Sequence, residues 1–155
     1  MNEGGPFVVL KIERAIEVNA DVAAVWALVS SQDGFRSWFE PTIEIDPFVG
    51  GRHRHVSGEE GQLITGEILE MEPMKKLVLS WFEDGPDTDW VNPIRKTFLF
   101  ENLNGTTRVT LVIEGFEGIG KPTYERTYEA YARGTARHHI LRNLKETAEP
   151  SACDA

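Results

Sequence analysis

The chain has 155 residues, which is enough for one domain and too few for two well-formed ones. It carries 25 acidic and 16 basic residues, and a net charge of -9 repels nucleic-acid phosphates and anionic lipids, so we expect neither nucleic acid nor a membrane as a partner. A single cysteine, Cys153, excludes an internal disulfide, and the sequence lacks both a signal-peptide pattern and the ~18 consecutive apolar residues that cross a bilayer. These features predict a cytoplasmic globular protein.

The first third of the chain predicts one strand and two helices. Apolar and polar residues alternate through residues 7–18, which is typical of a half-buried strand. Residues 19–31 then place apolar side chains at helical spacing, and Asn19 is a suitable N-cap. A second, short helix with an aromatic face is predicted over residues 33–41, where Pro41 ends it.

From Thr42 onward the alternation predicts strands. The segments "TIEIDPFV" and "RHRHV" are interpreted as one strand bent at Pro47 or at the Gly50–Gly51 pair. Further strands are predicted over residues 62–71, 76–83, 94–102 and 106–115. The dipeptide Asn104–Gly105 predicts a tight hairpin turn before the last of them.

The end of the chain predicts one long helix over residues 123–148, with Thr123 as its N-cap, after a loop over residues 116–122. Residues 149–155 are expected to be a disordered tail. Strands joined by short turns are antiparallel, and the last helix is the long element available to cover one face of their sheet. A curved sheet around one helix leaves a space between them, which predicts a cavity.

Six segments in order also resemble a known family: "VNADVAAVWALVSS", "FRSWFEP", "GGRHRHV", "GEILEMEPMKKLVLSW", "TTRVTLVIEGF" and "ILRNLKETAE". Over roughly residues 8–148 the chain resembles the family named after activators of the heat-shock-protein-90 ATPase, within the START-like helix-grip superfamily. The resemblance implies a single α+β domain over residues 1–155 with a core of about 7–148. It also implies a curved six-stranded antiparallel sheet around the C-terminal helix, two short helices after the first strand, and often a hydrophobic cavity.

The stretch "GGRHRHV" departs from the family pattern, which usually has aromatic or aliphatic residues where this chain has His53 and His55. Both histidines share one strand phase about 7 Å apart, too wide for one metal ion unless the side chains converge. His138 and His139 on the last helix would be further ligands, but the sequence has neither an HxxxH pair nor a cysteine set. The pattern favours a polar cavity lining or an exposed strand end over a metal site.

The predicted function is the binding of a small, largely apolar molecule between the sheet and the last helix. The predicted lining residues are Trp38, His53, Trp81, Phe98 and Tyr131, with His55 and His138 as polar accessories. Inward aromatic residues are also typical of an ordinary core, and histidines that pair with glutamate or backbone groups serve only the fold. No catalytic residue, cofactor or metal is assigned.

Two other functions are also compatible with the sequence. A protein-interaction module or homodimer, as the family name implies, would have a filled interior and an exposed apolar patch. An acid–base enzyme would use His53 inside the cavity, because histidine titrates near neutral pH and a dry site shifts its pKa.

Overall fold

The structure of the protein, a computed structural model, describes residues 10–57, 62–84, 90–120, 124–138 and 140–149. The predicted N-cap Thr123 and the start of the predicted first strand lie outside these residues. The predicted tail also lies outside them, except for Glu149. This residue is ordered against the fold, because its carboxylate accepts a hydrogen bond of 2.7 Å from the backbone N–H of Asn19.

The sheet is antiparallel, as predicted, and has seven strands in the order β1-β7-β6-β5-β4-β3-β2. The strands are β1 Ile12–Val18, β2 Glu44–Ile45, β3 Arg52–Ser57, β4 Gln62–Glu72, β5 Lys76–Asp84, β6 Ile94–Asn102 and β7 Thr107–Glu114. The observed ends of β4 to β7 lie within one or two residues of the ranges predicted from the sequence. The first strand pairs with the last, so the sheet is built from both ends of the chain.

The prediction of one bent strand before residue 57 is wrong. The strands β2 and β3 pair antiparallel, with Ile45 opposite His53, so the chain reverses direction between them. Gly50 has a φ of 87°, a left-handed conformation that glycine adopts without the steric cost of a side chain. The two glycines therefore form part of a turn, and the reversal adds the seventh strand to the six that were expected.

The hairpin turn predicted at Asn104–Gly105 is confirmed. Both residues have positive φ, 63° and 105°, and the N–H of Leu103 donates to the carbonyl of Thr106 across the turn. This geometry is the one for which the Asn-Gly pair is favoured. It sets the register of β6 against β7, in which Phe98 lies opposite Leu111.

The helices are α1 Val22–Ala27, α2 Gln32–Trp38, a 3-10 helix Phe116–Ile119, α3 Tyr124–His138 and α4 Ile140–Ala148. The N-cap of α1 is Asp21 and not the predicted Asn19, because the chain turns between β1 and α1 before the helix starts. Ser31 caps α2 and accepts a hydrogen bond of 2.9 Å from the N–H of Gly34. The predicted loop over residues 116–122 contains the 3-10 helix.

The predicted C-terminal helix is described as two helical segments, α3 and α4, on either side of His139, which lies outside the described residues. Leu141 and Leu144 of α4 are buried, and α4 contacts β1, α1 and α2. The apolar residues of the inner sheet face and these helices form one core. This arrangement is the predicted α+β helix-grip fold, and no helix in the described ranges has the length and apolar character that crossing a membrane requires.

Candidate functional site

The two histidines of β3 point into the protein. His53 is 2% exposed and His55 is 6% exposed, whereas Arg52 and Arg54 on the opposite phase are exposed. The inner face of this strand is therefore polar at two positions where a half-buried strand normally carries apolar residues. The burial excludes the interpretation of these histidines as an exposed strand end.

A local break in the sheet holds the ring of His53. Backbone pairing between β4 and β5 is interrupted near Ser80, where the N–H of Glu67 donates to the Ser80 hydroxyl at 2.9 Å. The carbonyl of Ser80 instead lies 2.8 Å from Nε2 of His53. A carbonyl oxygen only accepts hydrogen bonds, so Nε2 carries the hydrogen and the Nδ1 of neutral His53 is an acceptor.

Gly66 makes room for this contact. It lies opposite His53 in the β3–β4 register, and a Cβ at this position would lie 2.5 Å from Nε2 of His53 and 2.0 Å from the carbonyl oxygen of Ser80. Any side chain would collide with both groups. The glycine within the predicted strand is thus the residue that allows His53 to reach β5.

Both histidines have a buried Nδ1 with no hydrogen-bond partner among the described residues. Burial lowers the pKa of His53, and it lowers the pKa of His55 to about 4, with the positive charge of Lys96 acting in the same direction. Both rings are therefore neutral at pH 7. A buried polar atom without a partner costs about 1–3 kcal/mol, so two of them on one face require an explanation.

Trp81 of β5 lies at the centre of the inner face. Its ring centroid is 5.2 Å from that of His53 and 5.2 Å from that of His55, and Phe39 contacts it edge to face at 5.8 Å. The rings thus form one contiguous surface that runs from the histidines toward β6.

Lys96 of β6 continues this surface and was not among the residues predicted from the sequence. The residue is 5% exposed, and its Nζ lies 3.6 Å from the ring centroid of Trp81 and 5.7 Å from that of Tyr131. Burial lowers the pKa of Lys96 to about 7, an effect that the nearby Glu83 partly offsets. Among the described residues, no carboxylate oxygen lies within 4 Å of Nζ.

Tyr131 of α3 closes the group from the helical side. Its hydroxyl donates a hydrogen bond of 2.7 Å to Oε2 of Glu83 on β5. Burial raises the pKa of Tyr131 well above its ordinary value, and the negative charge of Glu83 acts in the same direction. The hydroxyl therefore stays protonated and ties α3 to the sheet. We refer to His53, His55, Trp81, Glu83, Lys96 and Tyr131 as the inner-face polar cluster.

The other predicted site residues have different positions. Trp38 and Phe98 are buried and pack edge to face with their ring centroids 6.2 Å apart. The indole N–H of Trp38 donates to the carbonyl of Leu28 at 2.8 Å, which leaves this side chain without a free polar atom. Phe39 links Trp38 to His55 through ring contacts. His138 ends α3, and its side chain lies outside what the structure describes.

The sequence matches the family described as "Activator of Hsp90 ATPase homolog 1-like protein" over residues 19–149, which is most of the chain. The chain belongs to this family. None of the curated proteins matches it. The resemblance noted in the six sequence segments is thereby confirmed.

Solved structures of proteins from other organisms share the fold of this chain. A crystal structure from Mesorhizobium loti has a TM-score of 0.72 at 19% identity, covering 88% of this chain and 95% of that one. A solution structure from Arthrobacter aurescens has a TM-score of 0.71 at 18% identity, covering 92% and 88%. The solution structure of the Aha1 dimer from Colwellia psychrerythraea has a TM-score of 0.63 at 16% identity, covering 90% and 96%. At such identities the similarity shows the fold alone.

In the present protein, an open groove of about 880 Å³ extends to His53. Its lining residues are Gln32, Arg36, Glu44, Ile45, Asp46, Arg52, His53, Arg54, Leu63, Thr65, Gly66, Glu67 and Ser80. These residues come from α2, from β2 to β5 and from the turn after β2. None of these lining residues belongs to the described parts of α3 or α4. Its three arginines and three acidic residues give it no net preference for either charge.

Metal ions in proteins are held by groupings of particular side chains. No three side chains of the types that hold metal ions lie together in the described part of the chain. The inner-face polar cluster offers hydrogen-bond acceptors, one amine and aromatic surface, which is the chemistry of a binding site for an organic molecule.

Proposed function

We propose that this protein binds a small, largely apolar molecule between the inner face of the sheet and the C-terminal helical segments. It acts as a single domain in the cytoplasm. The proposed contacts are Trp38, His53, His55, Trp81, Phe98 and Tyr131, with His138 as an accessory residue. The observation that carries the proposal is the pair of buried Nδ1 atoms on His53 and His55, which have no partner among the described residues.

The two Nδ1 atoms lie in an apolar setting, and their hydrogen bonding is incomplete among the described residues. Folded proteins satisfy nearly all buried polar atoms, and a bound molecule satisfies them as well as a protein group does. The aromatic rings around Trp81 supply apolar area worth about 25 cal/mol for each Å² buried, before the ordering costs of binding. The acceptor Nδ1 of His53 orients a ligand that carries an O–H or N–H donor.

The test uses the fluorescent apolar probe N-phenyl-1-naphthylamine. The proposal predicts saturable binding with one site per chain. His53→Phe keeps an aromatic ring and removes both the acceptor Nδ1 and the Nε2–H that donates to the carbonyl of Ser80. It is expected to keep the fold but to change the response of tryptophan fluorescence to the probe. Phe48→Ser is the matched surface control, since Phe48 is 58% exposed and lies outside the proposed site. Binding that persists in His53→Phe but disappears in Phe48→Ser would place the probe on the surface and contradict the proposal.

We propose self-association as a second candidate function, favoured by a different observation. The turn between β2 and β3 carries two adjacent apolar residues, Phe48 and Val49, which are 58% and 60% exposed. A related structure is that of an Aha1 dimer. Sedimentation of the wild type and of the double variant Phe48→Ser/Val49→Ser tests it. A concentration-dependent dimer that the variant lacks supports this candidate, and a monomer in both removes it.

A further inference from the structure

Lys96 is a buried amine that has no paired anion among the described residues. Its Nζ contacts the face of the Trp81 ring, and the contact supplies attraction but no counter-charge. A buried ammonium normally has a carboxylate or several hydrogen-bond acceptors beside it. Lys96 has no carboxylate within 4 Å in the described part of the chain.

Among the described titratable groups around Lys96, none lies close enough to form an ion pair with it. From β5, Glu83 lies near, but its Oε2 accepts the hydroxyl of Tyr131 from α3. From β3, His53 and His55 feel the positive charge of Lys96, which lowers the pKa of both. Glu83 raises the pKa of Lys96, but none of these described groups forms an ion pair with its Nζ.

We propose that Lys96 binds the carboxylate head group of an apolar acid, with the hydrocarbon part of the acid against the aromatic rings. This inference rests on the proposed function, because it names the chemical class of the same ligand. A carboxylate at Nζ supplies the missing counter-charge in a region of low dielectric constant, where a charge-assisted hydrogen bond is strong. A neutral head group of the same length leaves the ammonium uncompensated.

Binding of an anionic ligand at Lys96 is coupled to the uptake of protons. A carboxylate beside Lys96 stabilises the ammonium, so the complex takes up protons when it forms near pH 7. The affinity for an anionic ligand is highest where Lys96 is charged in the free protein and falls as the pH rises above 7. Glu83, His53, His55 and Tyr131 are the other titratable groups that face the site from the described residues. Of these, both histidines are neutral and Tyr131 stays protonated over that interval.

The experiment displaces N-phenyl-1-naphthylamine with decanoate and with 1-decanol, two competitors that differ in the charge of the head group. The ratio of their affinities is measured for the wild type, for Lys96→Met and for the exposed control Lys75→Met. We expect the preference for decanoate to fall by about tenfold in Lys96→Met and to stay within about twofold in Lys75→Met. In the wild type, the same preference is expected to decrease between about pH 6 and pH 9.

The outcomes separate the two proposals. Failure of the wild type to bind the probe overturns the proposed function and this inference together. Probe binding with equal displacement by decanoate and decanol in the wild type and Lys96→Met overturns this inference alone. If Lys96→Met does not fold, Lys96→Gln and the pH profile of the wild type carry the same test, and a preference that is independent of pH contradicts the proposal.

Discussion

The Nζ atom of Lys96 lies 3.6 Å from the centre of the Trp81 ring, beneath a sheet face that also buries two histidines. The attraction between an ammonium and a desolvated indole face is worth about 2 kcal/mol. Burial nevertheless lowers the pKa of Lys96 to about 7, so the loss of hydration outweighs the opposing contribution of Glu83. The amine therefore destabilises the unliganded fold, which is typical of a group that serves binding.

Lys96→Met is expected to stabilise the unliganded protein. Below about pH 7 the lysine is protonated in both the folded and the unfolded state, and the full cost of its burial is present. Between about 7 and 10.5 the unfolded state holds a proton that the folded state has released, so wild-type stability rises with pH. The variant lacks this dependence and should be more stable by on the order of a few kcal/mol at about pH 6.

Urea unfolding of the wild type and Lys96→Met at about pH 6, 8 and 9.5 measures this difference. The gap in the free energy of unfolding should narrow as the pH rises. A variant that is less stable than the wild type at the lowest pH would show that the ammonium is well compensated in the fold.

His55→Phe is expected to make the protein more resistant to acid. The unfolded histidine takes up a proton near its ordinary pKa of 6.5, whereas burial lowers the pKa of folded His55 to about 4. Wild-type stability therefore decreases as the pH falls from 6.5 to 4, and the variant loses this component. The difference amounts to about 2 kcal/mol at most near pH 5. Urea unfolding at neutral and acid pH measures it, and parallel losses in both proteins would contradict the burial of a neutral ring.

Gly66→Ala is expected to destabilise the protein by about 2–4 kcal/mol. Its Cβ would lie 2.0 Å from the carbonyl oxygen of Ser80 and 2.5 Å from Nε2 of His53, so the hydrogen bond between them must break or the strands must separate. Gly118→Ala is the matched control, because a Cβ there has no atom within 4 Å. Thermal unfolding of both variants checks the prediction. Equal stability of the two variants would show that His53 does not pack over Gly66.

Tyr131→Phe is expected to lower the free energy of unfolding by about 1–2 kcal/mol, because it removes a hydrogen bond to a charged acceptor. The hydroxyl donates to Oε2 of Glu83 at 2.7 Å and connects α3 to β5. Tyr128→Phe on the same helix is the control, since the Tyr128 ring packs against Phe116 and its hydroxyl has no partner in the described ranges. Denaturant unfolding gives both values. If the two variants lose the same free energy, the contact with Glu83 contributes nothing specific.

Much of the fold could be predicted from local patterns in the sequence. The strands β6 and β7 alternate buried and more exposed residues, and the Asn104–Gly105 pair has the backbone preference of a two-residue hairpin turn. The reversal of the chain between β2 and β3 could not be predicted from the sequence, because a glycine pair is compatible with either a bulge or a turn. Pairing between Ile45 and His53 decides between them, and this contact depends on the whole sheet.

The candidate site could be predicted only in part, because some of its contacts also depend on the packing of distant segments. The alternation of β3 placed His53 and His55 on one face, which the structure confirms as the inner one. Lys96 has the same phase as the buried Ile94 and Phe98 and so carried a signal, but a lysine within a strand normally faces solvent. Contacts between distant segments, such as Tyr131 with Glu83, follow from the packing of α3 on the sheet and have no local pattern.

The most direct test of the binding proposal is a titration with N-phenyl-1-naphthylamine followed by ¹H–¹⁵N NMR. We expect the indole N–H resonance of Trp81 to shift on saturation, while the amide resonances of the exposed Phe48 and Val49 do not. Shifts confined to the exposed turn, with the Trp81 resonance unmoved at saturating probe, would contradict it.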